Sequence, residues 1–256
     1  MSPRSLLQTT GRLQAFGVSG NLHGAQPQVR ADGWTRATLA NDNRRTLPRC
    51  TPACKPISFA VKRMFDMCGA VAGLIGLAPI LLLIALLIRL ESKGPIFFRQ
   101  LRTGRHEVPF EILKFRSMYV EQCDPAGIRL TTDGDPRVTR VGRFLRRTSL
   151  DEIPQLWNIV VGHMSLVGPR PHVPDMIAGG MTYADLVRGY EDRHLVRPGL
   201  TGLAQCRGLR GSTTNADTAV SRILSDVEYI ETFSILLDAW ILVRTIVNEL
   251  RGGTGS

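Results

Sequence analysis

Met67 to Ile88 reads MCGAVAGLIGLAPILLLIALLI, an apolar run of 22 residues without a charge. A helix needs roughly 20 such residues to cross a bilayer, and the core helices of soluble domains seldom go so long without a charge. Two features argue against a simple crossing. Pro79 sits mid-run, behind Gly69, Gly73 and Gly76. Proline removes a backbone donor and crowds the preceding turn, so it kinks or breaks a helix. Basic residues also stand at both ends: Lys62 and Arg63 before the run, Arg89, Lys93, Arg99 and Arg102 after it. Lys and Arg accumulate on the cytoplasmic side of a membrane, so both ends are expected there. A helix–break–helix hairpin that dips into one leaflet meets both conditions. A kinked spanning helix is the alternative.

On the N-terminal side, residues 1–55 are polar and basic, rich in Gly, Thr, Arg and Asn, with no apolar period. They are expected to form a disordered tail, and they lack the continuous apolar core of a secretory signal. Residues 56–93 then form the membrane segment and 94–251 a cytoplasmic catalytic domain. In that domain, Ile96–Phe98 and Val108–Phe115 read as short extended segments, and residues 121–136 as a turn-rich stretch. Val138–Arg147 reads as a basic amphipathic helix suited to a membrane surface. Glu152–Val161, 181–196 and 217–250 read as further helices, the last with a broad apolar surface around Trp240. The expected class is therefore α/β and membrane-associated: a re-entrant hairpin on a small domain, mostly helical, with a few short strands and surface amphipathic helices.

The formal net charge of +10 points to polyanionic partners. Aromatic residues make up only 6% of the chain and do not interleave with the basic ones. Nucleic acid is therefore not the expected partner, which leaves anionic lipid and phosphorylated substrates. The five cysteines (Cys50, Cys54, Cys68, Cys123 and Cys206) form no CxxC pair. All five are expected unpaired in a reducing compartment.

Chemistry concentrates around Asp151-Glu152. Arg146 and Arg147 precede this pair, and Gly168-Pro169-Arg170-Pro171 and Arg197-Pro198-Gly199-Leu200-Thr201-Gly202 follow. Stiff Pro/Gly turns bearing arginines hold phosphates well, because guanidinium forks match phosphate oxygens. A carboxylate can attack phosphorus to form an acyl phosphate if arginines and Mg²⁺ offset the charge repulsion. A second carboxylate, Glu152, can hold the metal. Ser149-Leu150-Asp151-Glu152 also fits a helix capping box, in which both residues would serve structure alone. His106, His163 and His194 show no metal-ligand spacing with one another.

Four stretches resemble the bacterial sugar transferase family, the monotopic phosphoglycosyl transferases: Lys114-Phe115-Arg116-Ser117-Met118, Thr148 to Asn158 (TSLDEIPQLWN), Met164 to Pro171 (MSLVGPRP) and Arg197 to Gln205 (RPGLTGLAQ). The resemblance covers about Lys62 to Arg251. It implies that Asp151 attacks the sugar-linked phosphate of a UDP-sugar, that UMP leaves, and that undecaprenyl phosphate then takes the phosphosugar. It associates Glu152 with Mg²⁺ and places Lys114, Arg146, Arg170 and Arg197 near the phosphates, with Asp226 as a further acidic position in a supporting role. It implies a re-entrant helix broken near Pro79. Many members carry Ser-Pro at that break where this chain has Ala78-Pro79, and many carry an acidic residue where this chain has His172. The expected sugar is a hexose, glucose or galactose, and the expected setting is the priming of exopolysaccharide or another glycan. The expected location is the bacterial inner membrane, with the catalytic domain and both termini cytoplasmic. Inner-membrane lipid, downstream glycosyltransferases and a second copy of the chain complete the expected partners. Two other readings compete: a non-catalytic membrane scaffold, and a lipid-diphosphate phosphatase that needs no nucleotide.

Overall fold

The computed structural model describes residues 45–46, 56–122, 134–209 and 215–251. Apart from Arg45–Thr46, the N-terminal tail lies outside the described residues. So do Cys50, Cys54, Cys123 and most of the turn-rich stretch. The two cysteines within them, Cys68 and Cys206, are free thiols.

The apolar run lies in α1 (Pro56–Glu91). Only 11% of its most apolar window is buried by the rest of the protein. Ile75 and Leu82 are each 71% exposed, which suits a lipid environment and not a soluble core. The expected interruption at Pro79 takes a different form: every residue of 56–91 is helical and Pro79 lies inside the helix. Proline has no N–H to give the carbonyl one turn back, but apolar residues on both sides keep the remaining hydrogen bonds of the helix in place. Any change of direction is thus a bend within one continuous helix.

One stripe of α1 faces the domain throughout: Asp66, Ala70, Ile84 and Ile88 are buried along it. The two ends are fastened by polar groups. Near the start, Lys62 Nζ donates to Asp238 Oδ2 at 2.6 Å, and Asp66 accepts from Ser165 Oγ at 2.7 Å and Leu166 N at 3.0 Å. Arg63 donates to the carbonyls of Ile159 and Met164. At the far end, Glu91 Oε1 accepts from Arg140 N at 2.7 Å, and Arg116 donates to the carbonyls of Ser92 and Lys93.

The extended segments form an antiparallel hairpin, β2 (Phe97–Thr103) with β3 (Pro109–Phe115), in the register Phe97↔Phe115 to Thr103↔Pro109. The basic helix is α2 (Arg140–Arg147), whose Thr139 caps it by accepting from Gly142 N at 2.9 Å. The helix read from Glu152 divides into a 3₁₀ turn (Leu150–Glu152) and α3 (Gln155–Val161), which closes on Gly162 at φ 108°. Pro154 stands as the N-cap of α3, where its missing donor costs nothing.

Strands β4 (Ser165–Val167) and β8 (Gly199–Thr201) pair in parallel. They carry two of the motif turns, and glycine is what lets them meet. A Cβ on Gly199 would fall 2.1 Å from the Gly168 nitrogen. The stretch 181–196, read as one helix, is instead β6 (Met181–Thr182), α4 (Tyr183–Leu186), β7 (Val187–Arg188) and a 3₁₀ turn (Tyr190–Leu195). The extended Val187 ends α4, Gly189 in the left-handed region opens the 3₁₀ turn, and β7 pairs in parallel with β1 (Arg45–Thr46). The hairpin that precedes α4 joins β5 (Ile177–Ala178) to β6.

The C-terminal helical stretch is a pair, preceded by the short α5 (Leu203–Cys206). Its members are α6 (Ala216–Glu231) and α7 (Ile235–Leu250), with Asn215 and Ser234 as caps. Val167, Ile223, Ile230 and Ile241 form the core between them, while Phe110, Leu156 and Met164 pack α3 and β3 under α1. Leu236, Trp240, Val243 and Ile246 of α7 remain exposed.

Candidate active site

Three elements converge on the acidic pair. Strand β3 carries Lys114, the 3₁₀ turn carries Asp151 and Glu152, and the turn after β4 carries Arg170. Asn158 of α3 fixes the first two against each other. Its amide donates to the Glu111 carbonyl at 2.7 Å, and its oxygen accepts from Leu113 N at 2.9 Å. The β4–β8 pairing fixes the third: Gly168 N donates to the Thr201 carbonyl and Gly199 N to the Pro169 carbonyl, both at 2.9 Å.

Glu152 is clamped. Its Oε1 accepts from Lys114 Nζ at 2.7 Å and Arg170 Nη2 at 2.5 Å, and its Oε2 from Arg170 Nη1 at 3.0 Å. Burial pushes this carboxyl up, but the Arg170 and Lys114 cations outweigh it and hold it well below the usual range. Asp151 is treated in the opposite way. It is 8% exposed, and its carboxylate makes no hydrogen bond or ion pair among the described residues. Burial pushes it up to about 6, against the opposing pull of Lys114, while the Glu152 charge adds to the rise and Arg146 and Arg170 reduce it. Adjacent carboxylates with environments this different can divide their roles: one is a fixed charge, the other an unengaged carboxyl facing a cationic field.

The capping-box reading does not hold. Ser149 sits at φ 54° with no capping hydrogen bond from its side chain, and its hydroxyl donates to Glu249 instead. Glu152 turns away from the helix start towards Lys114 and Arg170. A non-glycine residue in the left-handed region two residues before Asp151 is local strain of the kind that gathers at functional sites.

Of the sequence-predicted residues, Lys114, Arg146, Asp151, Glu152 and Arg170 come together. Arg197 does not. Its Nε donates to the Gly162 carbonyl at 2.9 Å, and it lies with Lys62, Arg63 and Arg105 around a shallow cleft. The turn before β8 carries it to the C-terminal end of α3, whose last carbonyls need donors. Asp226 reaches the site indirectly. Its Oδ2 accepts from Arg193 Nη2 at 2.7 Å in a pair sealed from solvent, and the same Nη2 donates to the Arg170 carbonyl at 2.7 Å. Asp226 thus holds Arg193, which holds the backbone from which Arg170 reaches Glu152.

Arg193 went unread in the sequence because it lies in the stretch taken for one helix. Arg102 was read only as a basic flank of the membrane segment. The usable signal was strand alternation: Gln100 and Arg102 are polar residues on the inward face of β2. Burial and the neighbouring Arg170 charge pull Arg102 down to about 10, while Glu152 acts the other way.

Mg²⁺ fits this donor set at one point. Oε1 of Glu152 is fully occupied by two donors, but Oε2 has a single partner and so keeps one lone pair. A monodentate carboxylate completed by substrate phosphates and water is ordinary Mg²⁺ ligation. Among the described residues no group of three His, Cys, Asp or Glu side chains forms an all-protein cage.

Comparison with known proteins places the chain among named relatives. The exopolysaccharide production protein PSS of Rhizobium leguminosarum bv. phaseoli is 49% identical over 199 residues, 78% of this chain and 100% of that protein. The undecaprenyl-phosphate glucose phosphotransferase of Komagataeibacter xylinus is 48% identical over 74% of this chain, but the match covers only 36% of that longer protein. The UDP-glucose:undecaprenyl-phosphate glucose-1-phosphate transferase of Caulobacter vibrioides is 48% identical, over 74% of this chain and 69% of that protein. Residues 57–252, from the first turn of α1 to the end of α7, match the family described as bacterial sugar transferase. The chain belongs to the bacterial sugar transferase family, and it is a transferase.

Proposed function

We propose that this protein moves a sugar 1-phosphate from a UDP-sugar to undecaprenyl phosphate through a covalent intermediate on Asp151. The observation that carries this reading is the contrast within the acidic pair: Glu152 is clamped by Lys114 and Arg170, while the Asp151 carboxylate is unengaged. An Asp151 oxygen bonds to the sugar-linked phosphorus as the bond to the bridging oxygen breaks, and UMP leaves with that electron pair. A phosphate oxygen of undecaprenyl phosphate then bonds to the same phosphorus, and the Asp151 carboxylate is released. Lys114, Arg146 and Arg170 lower the repulsion between the carboxylate and the phosphates. Mg²⁺ on Glu152 would supply further charge neutralisation. Glucose is the favoured sugar, because two of the matched relatives are named for it.

The fastening of α1 supports a re-entrant helix. From Lys62 to Glu91, a straight helix rises about 44 Å, more than the ~30 Å hydrocarbon core. Both ends hydrogen-bond to the same small domain, so both belong on one face of the membrane. That face is assigned as cytoplasmic, where UDP-sugars and the basic flanks belong. Tags at either terminus should then be inaccessible to membrane-impermeant reagents in intact cells; labelling at only one terminus would mean a spanning helix.

The activity is tested with purified protein in detergent, a panel of UDP-hexoses, Mg²⁺ and undecaprenyl phosphate. UMP should appear fastest with UDP-glucose and should stop on chelation with EDTA. Absence of UMP with every sugar would favour a scaffold, and inorganic phosphate from a lipid diphosphate would favour a phosphatase.

A further inference from the structure

We infer that Arg102 is a phosphate contact of the reaction centre and serves two anions in turn, the nucleoside monophosphate that leaves and the lipid monophosphate that arrives. The inference rests on the covalent reading above and assigns a residue that the reading left out.

Among the described residues, Arg102 differs from the other inward-facing arginines in its partners, although Arg116 Nε is likewise sealed without an acceptor and Arg222 donates to the Leu209 carbonyl. Arg193 is paired with Asp226, Arg137 with Asp135, and Arg116 with backbone carbonyls at the end of α1. Arg102 has one partner, the neutral oxygen of Gln100, and no carboxylate within ion-pair distance among the described residues. Its Nε is sealed from solvent with no hydrogen-bond acceptor. A sealed, charged donor without an acceptor is costly, and a guanidinium fork in that condition is suited to a bidentate anion.

The anion must come from outside, because the nearby carboxylates are committed. Glu152 is held by Lys114 and Arg170, and Asp226 by Arg193. The position of Arg102 is fixed by the backbone: Thr103 N donates to the His172 carbonyl at 3.0 Å, which joins the end of β2 to the segment bearing Arg170. Arg170 and Glu152 are its charged neighbours. Those of Asp151 are Lys114, Glu152, Arg146 and Arg170, without Arg102. The end of β2 thus sets Arg102 beside Arg170 and Glu152, at the edge of the reaction centre. The second phosphate is assigned to this cation, and the phosphorus under attack is left to Lys114, Arg146 and Arg170.

Displacement at phosphorus places the entering and leaving oxygens in line, on opposite sides. In the first half-reaction Asp151 enters and UMP leaves opposite it. In the second, Asp151 leaves, so the lipid phosphate enters from the place UMP vacated. One cation at that place meets both phosphates, and the two cannot occupy it together.

The test compares wild type with Arg102→Gln and Arg102→Lys in two assays. The first is exchange of labelled UMP into UDP-glucose without lipid. The second is full transfer to undecaprenyl phosphate. Exchange by the wild type reports on the covalent reading by itself, and its absence would overturn that reading before any variant is made. Given exchange, Arg102→Gln should raise the KM for UMP and the KM for undecaprenyl phosphate by similar factors, roughly 10- to 100-fold. Arg102→Lys should fall between Arg102→Gln and wild type, and UMP should inhibit competitively against the lipid. The ligand-free Tm of Arg102→Gln should be no lower than that of wild type, because no native contact beyond Gln100 is lost, while the rise in Tm on adding UMP should shrink. A change in only one KM would overturn the shared role. Unchanged KM values with a lowered ligand-free Tm would make Arg102 structural and overturn the inference entirely.

Discussion

Asp151→Asn is expected to abolish UMP release while leaving the fold intact, with activity reduced by about 10⁴-fold or more, as for loss of a covalent nucleophile. The substitution keeps the shape of the side chain and removes its ability to bond to phosphorus. It breaks no hydrogen bond, since the Asp151 carboxylate makes none among the described residues. Stability then separates chemical failure from unfolding. Burial raises Asp151 to about 6, above the ~3.9 of an unfolded chain. The neutral form is therefore favoured on folding. That stabilisation is complete below about pH 4 and is lost as pH rises through about 6, by ~3 kcal/mol at most. In metal-free protein at pH 7.5, Asn should match or exceed wild type in Tm, and its Tm should depend less on pH across that window. Wild type given UDP-glucose without lipid should gain the mass of a hexose phosphate on a peptide containing Asp151, and the Asn variant should not. UMP release that survives the substitution would remove Asp151 from the mechanism.

The parts of this site that the sequence revealed are those whose chemistry is local. Asp151-Glu152 are neighbours in the chain, and the Gly168-Pro169-Arg170 and Pro198-Gly199 turns are stiff enough to be recognised as turns. The hairpin β2–β3 and the helix α2 followed from alternation and from a basic amphipathic period. What stayed hidden depends on contacts between distant segments. Arg197 sits in a motif turn like that of Arg170, yet the parallel pairing of β4 with β8 sends one arginine to Glu152 and the other to the Gly162 carbonyl. Asp226 could be named but given no role, because its partner Arg193 lies 33 residues away in a stretch read as the wrong element. Within α1, composition pointed to a membrane segment but not to its polar fastenings, since Lys62 precedes the uncharged run and reads as its flank, and Asp66 beside the run carries no local signal.

Those fastenings carry the second large effect. Asp66→Ala should destabilise the protein by roughly 3–5 kcal/mol, the usual cost of removing one partner from a buried polar cluster. Asp66 is 4% exposed and accepts from Ser165 Oγ and Leu166 N, with Lys62 Nζ at 3.5 Å. Lys62 also pairs with Asp238, which accepts from Tyr229 at 2.8 Å. One carboxylate thus joins α1 to β4, and through Lys62 to α7 and α6. Alanine would leave the Leu166 amide of β4 without its acceptor and the Ser165 hydroxyl with only the Val167 carbonyl. Because β4 leads directly into the turn bearing Arg170, the loss should reach the site: the Tm should fall and transfer should weaken, although Asp66 touches no substrate. Asp66→Asn keeps one acceptor oxygen and should recover part of both. A membrane helix that merely tethers a self-sufficient domain would give a different result, with Asp66→Ala leaving the Tm and UMP release of the detergent-solubilised protein unchanged. Loss of both would mean that α1 is a structural wall of the catalytic domain, so that anchoring to the membrane and building the active site are one folding event.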